Sequence, residues 1–186
     1  MLVTKTVRHH HLLAALYGNT YGLNFKNRII LYKAIFESFA SYGSLPYARN
    51  LTAVQNKKLL KTQRNILIGA VSGYRTISYL SVWAISGIAP ITLTLQESNS
   101  TKTLKLQSNR LTRKELKQKI IELKEKTVTD WQGMYDAGTT ARITYAQIPS
   151  LKYRIKCKHV ETNYVIYHTI FEWSWEFRRL PLQIQN

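Results

Sequence analysis

Apolar positions over residues 59–70 recur at helical spacing. Leu59, Thr62, Ile66, Leu67 and Ala70 fall on one side, and Lys61 and Arg64 on the other. The pattern reaches back to Arg49, so one long basic helix is expected over 49–70, breaking at Ser72-Gly73. A shorter helix follows. Thr76 or Ser78 offers a hydroxyl to the free N–H groups of its first turn, Gly87 closes it in a left-handed conformation, and Pro90 bars continuation. Upstream, Arg28, Leu31, Ile35, Ser38 or Phe39, and Tyr42 follow the helical period, which predicts a helix over 25–42 ended by Gly43 and Pro46. A short helix is read over 12–16, closed by Gly18.

Beyond Gln96 the composition turns to Ser, Thr, Asn, Gln and Lys, and residues 97–109 read as a linker. After it, Thr112-Arg113-Lys114-Glu115 has the form of a capping box. The box opens a basic amphipathic helix with Leu116, Ile120 and Leu123 on one stripe and Lys117, Lys119 and Lys124 off it. The expected architecture is mainly α. A helical bundle occupies 1–96, and the linker leads to a basic helix and a small, partly irregular C-terminal region over 110–186.

A formal net charge of +17 over 186 residues points to an anionic partner, most economically RNA or DNA; the charge excess itself says nothing about sequence specificity. The single cysteine, Cys157, excludes an internal disulfide framework and fits a reducing, intracellular compartment. Residues 76–96 carry no charge and approach the length of a membrane span. Gly87, Pro90 and the many hydroxyl residues favour a buried helix plus a turn, and no membrane partner is expected. His9, His10 and His11 are adjacent, so they present no common helical face to a metal.

Several short motifs occur in a particular order. Leu31-Tyr32-Lys33-Ala34 precedes Ser41-Tyr42-Gly43-Ser44, then come Gln63-Arg64, Gly73-Tyr74-Arg75-Thr76-Ile77-Ser78, and Ser86-Gly87-Ile88-Ala89-Pro90-Ile91. Farther on stand Trp131-Gln132-Gly133-Met134-Tyr135-Asp136, Arg142-Ile143-Thr144 and Ile148-Pro149-Ser150-Leu151. This series resembles the region following the catalytic palm in reverse transcriptases of non-LTR, LINE-type retrotransposons. The resemblance departs from the family's pattern at Gly73 and Ser86, where alanine is usual, and at Tyr47 and Tyr135, where tryptophan is. It implies a thumb-like helical region, and a nuclear location if the chain follows the family.

Lys57, Lys58, Lys61 and Arg64 lie within two turns, and Lys57, Lys61 and Arg64 recur so as to face one way. Spacing alone admits either a solvated face or a phosphate-contacting one. The resemblance favours phosphate, because a thumb packs beside the template–primer duplex. Arg75, at the turn between helices, offers a guanidinium for a phosphate or for capping the carbonyls of residues 41–47, and capping is the expected role. The aromatics of the Trp131 motif are expected to pack in the core.

At the C-terminus His168-Thr169-Ile170-Phe171-Glu172-Trp173 is similar to the last half of the family's Cys-Cys-His-Cys zinc knuckle. Trp173 takes the fourth ligand's place, and a cysteine partner for Cys157 is missing. Cys157 and His168 are therefore read as remnants, with His159 a weak third candidate, and no zinc or other cofactor is expected. Template-directed polymerisation needs paired metal-holding carboxylates. The only aspartates, Asp130 and Asp136, stand six residues apart on different sides of a helix. The expectation is a non-enzymatic fragment of a retrotransposon polyprotein with residual nucleic-acid binding and no small-molecule substrate. An alternative is a structural or interaction protein whose basic helices bind a protein partner.

Overall fold

A computed structural model describes residues 23–42, 44, 51–107 and 112–156. Those residues are mainly α-helical, with no strand among them. In chain order they form α1 (Phe25–Tyr32), a π-helical turn (Lys33–Glu37), α2 (Ser38–Ser41), α3 (Ala53–Ala70), α4 (Tyr79–Ser86), α5 (Ile91–Leu106), α6 (Arg113–Asp136), α7 (Arg142–Gln147) and α8 (Leu151–Lys156).

The side chains buried along the first three segments are Arg28, which lies on the expected face, and Tyr32, Phe36 and Ala40, which lie one step away from it. Leu31 and Ile35 are half-buried and Tyr42 is exposed. A strict spacing of four drifts around an α-helix of 3.6 residues per turn. The wider turn at Lys33–Glu37 takes up that drift and keeps the four residues on one line. Arg28 is buried because it is spent internally: its Nε donates to Leu23 O at 2.5 Å, and its Nη1 to Gly69 O at 3.1 Å and Ser72 Oγ at 2.6 Å. This guanidinium joins the start of α1 to the end of α3.

α3 begins at Ala53, later than the Arg49 expected, because Thr52 and Gln55 close a capping box there. The expected apolar side, Leu59, Thr62, Ile66, Leu67 and Ala70, is buried. The helix ends through Ser72, which stands in the left-handed region at φ 52°. Ser78 caps α4, and Gly87, at φ 68°, closes it by donating its N–H to Trp83 O.

The expected linker is a correction. Residues 97–106 belong to α5, and Leu95 and Asn99 are buried. Ser, Thr and Asn are poor helix formers in isolation. Here Thr103 Oγ1 bonds back to Asn99 O at 2.9 Å, and α5 packs along α6, α3 and α2. Tertiary packing outweighs propensity. One core cluster contains Tyr32, Phe36, Leu67 and Trp83 together with Trp131, Tyr135 and Leu151, so side chains from either side of 97–109 share one interior.

The Thr112–Glu115 capping box forms as expected and starts α6, whose Leu116, Ile120 and Leu123 are half-buried. Trp131 and Tyr135 are in the core, as expected for that motif. α7 is tied to α4 by Thr144 Oγ1 donating to Ser81 Oγ at 2.9 Å, and α8 by Arg154 Nη2 donating to Ile85 O at 2.6 Å. A cation among the last carbonyls of α4 also suits the helix dipole.

No single described helix is long and apolar enough to cross a membrane. α4 and α5 together have the length and composition, but they are bent by 56° at the intervening break.

Candidate nucleic-acid interface

The exposed side of α3 follows from what its other side buries. With Leu59, Thr62, Gln63, Ile66 and Leu67 turned inward, Lys57, Lys58 and Lys61 are left exposed on the opposite surface. No acidic residue occurs between Glu37 and Glu97, so neighbouring sequence supplies no counter-charge to these lysines. α6 differs. Its Arg113, Lys114, Lys117, Lys119, Lys124 and Lys126 are interleaved with Glu115, Glu122, Glu125, Asp130 and Asp136, leaving little net charge along the helix. Glu115 is further committed to the cap, and hydrogen bonds from Thr112 hold its carboxyl below the ordinary value.

Arg64 departs from the row of cations it was read with. It is half-buried, and its fork is occupied by backbone. Nη2 donates to Arg75 O and to Ile77 O, both at 2.6 Å, and Nε to Ile77 O at 3.2 Å. Its Cζ lies 5.1 Å from the centroid of the Tyr79 ring, within cation–π range. Arg64 therefore holds the turn between α3 and α4 in place, with its charge still at the surface.

Arg75 corrects the expectation in the other direction. Its carbonyl is bound by Arg64, while its side chain is exposed and makes no hydrogen bond among the described residues. The capping expected of it is done by Lys102 on α5, whose Nζ donates to Ser41 O at 2.6 Å and Ser44 Oγ at 3.1 Å. Asn99, one turn earlier, accepts from Ser44 Oγ at 2.6 Å and donates to Ser44 O at 3.3 Å.

Sequence reasoning gave Gln63 no role beyond its motif, because a glutamine among lysines reads as surface. It is fully buried. Its Nε2 donates to Tyr32 OH at 3.0 Å and Ala89 O at 2.8 Å, and its Oε1 accepts from Ile91 N at 2.9 Å. The place of Gln63 on the apolar side of the helical wheel, between Thr62 and Ile66, was the available signal.

Among the described residues no three His, Cys, Asp or Glu side chains gather as a metal-ligand set. Asp130 and Asp136 are both exposed on α6, and Asp136 accepts a hydrogen bond from Gln132 Nε2 at 2.7 Å. Cys157, His159, His168 and Trp173 lie outside the described residues, as do the three histidines at 9–11. Compared with known protein families, curated proteins and solved structures, the chain matches none.

Proposed function

We propose that this chain is a thumb-like piece of a LINE-type retrotransposon polyprotein. In this reading it binds RNA or DNA without sequence specificity, through the exposed surface of α3. The observation that carries the reading is the run of exposed lysines, Lys57, Lys58 and Lys61, in a stretch of sequence that lacks any acid from 38 to 96. A surface of that kind attracts phosphate by releasing condensed counterions.

The hydrogen bonding of the motif residues adds support. Gln63 and Arg64 bind backbone in the Ala89-Pro90-Ile91 and Arg75-Thr76-Ile77 motifs, and Gln132 binds backbone at Pro149 and Leu151. Motifs whose order carries the resemblance are thus physically joined to one another. Polymerase chemistry is not part of the proposal, because the palm carboxylates that hold the reaction's metal ions have no counterpart in this sequence. Phosphate contact falls to Lys57, Lys58, Lys61 and Arg75, while Arg64 acts chiefly by holding the turn.

Salt titration tests the reading. Each phosphate contact contributes a slope of about −0.7 to −0.9 in log K against log salt. The Lys57→Ala, Lys61→Ala double variant is expected to flatten the slope by roughly 1.4 to 1.8. An unchanged slope, with binding abolished instead by Lys117→Ala, Lys124→Ala, would move the interface to α6. Salt-insensitive binding to a protein partner, with none to nucleic acid, would replace the reading with that of an interaction protein.

A further inference from the structure

The turn between α3 and α4 combines cations with exposed aromatic surface. Tyr74 is 43% and Tyr79 39% exposed. Ile77 N donates to Tyr74 O at 3.1 Å, which folds the turn back on itself. Arg64 then fastens Arg75 and Ile77 from the side of α3, with its guanidinium over the Tyr79 ring. Lys61, one turn before Arg64 on the same helix, brings the exposed lysines up to this turn. Behind it, Tyr79 is supported by Trp83, with ring centroids 5.8 Å apart.

We infer that this turn is a stacking site for an unpaired nucleobase of single-stranded RNA or DNA, with Tyr74 and Tyr79 supplying ring surface and Arg75 and Lys61 holding the flanking phosphates. The inference rests on the nucleic-acid reading above and narrows its substrate class. Double-stranded nucleic acid keeps its base faces inside the stack, so it uses the lysines but not the rings. A single strand uses both. Sequence tolerance follows, because every base presents a π-face. The turn is also prepared in advance. Arg64 is held by three hydrogen bonds to backbone, so little ordering is left to be done when a base arrives.

The experiment measures binding of fluorescent oligo-dT, oligo-U and a duplex of equal length at several salt concentrations. The proteins are the wild-type chain, Tyr74→Leu, Tyr79→Leu and Tyr79→Phe, with near-ultraviolet circular dichroism to confirm packing. Leucine keeps apolar area and removes the π-face. Each leucine variant is expected to lose roughly 5- to 150-fold in single-strand affinity, the range for one stacked base, with the duplex affinity and both salt slopes unchanged. Tyr79→Phe should behave as wild type. Tyr74 lies in the turn outside α4, so Tyr74→Leu decides the matter if Tyr79→Leu perturbs packing. Equal losses on single strand and duplex, or no loss on either, would overturn the stacking site while leaving the lysine surface standing. Failure of the lysine reading appears separately, as a salt slope unaffected by Lys57→Ala, Lys61→Ala.

Discussion

Gln63 and Gln132 make the same clasp on two different helix starts. Gln63 donates to Ala89 O and accepts from Ile91 N, spanning Pro90 at the head of α5. Gln132 donates to Pro149 O at 2.9 Å and accepts from Leu151 N at 2.9 Å, spanning Ser150 at the head of α8. In each case one side-chain amide satisfies the carbonyl entering a helix and an N–H that the first turn leaves without an intrahelical partner. Two interhelix angles are thereby fixed by single residues.

The two clasps should differ in cost. Gln63 is fully buried, and its loss removes the partner of Ala89 O and of Ile91 N away from water, whereas Gln132 is half-buried. Gln63→Ala is expected to destabilise by on the order of 3–5 kcal/mol, and Gln132→Ala by roughly 1–2 kcal/mol. Urea denaturation of the two variants measures this. Equal effects would mean that water reaches the Gln63 site.

Arg64 should matter to stability more than to binding. Arg64→Lys keeps the charge but cannot bridge Arg75 O and Ile77 O with one planar fork. It is expected to lower stability by about 1–2 kcal/mol, discounted for partial exposure, while changing the salt slope little. Lys57→Ala, Lys61→Ala should do the reverse, flattening the slope with stability within about 0.5 kcal/mol of wild type. Chemical denaturation and salt titration on the same samples separate the two roles.

Glu37 should make stability depend on pH. Burial raises its carboxyl above the ordinary 4.5, with Glu97 adding to the shift and Lys33 opposing it. The folded chain then holds that proton more tightly than the unfolded chain. This residue's contribution is most favourable below 4.5 and declines as pH rises toward the raised folded value. Glu37→Gln is expected to be more stable than wild type at neutral pH, with the difference gone below about pH 4. Thermal melts across that range check the sign, and a variant less stable at neutral pH would contradict it.

Backbone conformation gives a pair of opposite expectations. Gly87 sits at φ 68° with open space around an added Cβ, so the cost of Gly87→Ala is conformational, about 1 kcal/mol. Ala141 occupies φ 73° without being glycine. Ala141→Gly is expected to gain roughly 0.5 kcal/mol, relief of the left-handed strain being offset in part by unfolded-state entropy. Denaturation midpoints of the two variants should move in opposite directions.

The parts of the fold that were legible in sequence are those set by local chemistry. Thr112 with Glu115, Ser78, and Gly87 before Pro90 all mark helix ends through atoms a few residues apart. The parts that were not legible depend on distant partners. Asn99 lies in a helix because Ser44, 55 residues earlier, meets it in the interior. Gln63 is a buried polar residue whose partners come from elsewhere in the chain, and hydropathy alone assigns it to the surface. The exposed lysines of α3 were legible because their helix face is. Arg64's separate role was not, since nothing local announces that its fork is taken by the backbone of residues 75 and 77.

The π-helical turn at Lys33–Glu37 makes one stretch of this chain unusually forgiving of a change in length. Removing a residue from an ordinary helix swings everything beyond it by about 100° and turns the apolar side outward. A turn that already holds more residues than an α-turn can lose one and close into regular α-helix. Tyr32 before it and Ala40 after it would then keep nearly the same bearing toward the core. A single-residue deletion within 33–37 is expected to leave the apolar face in register, where the same deletion within α3 would turn it outward.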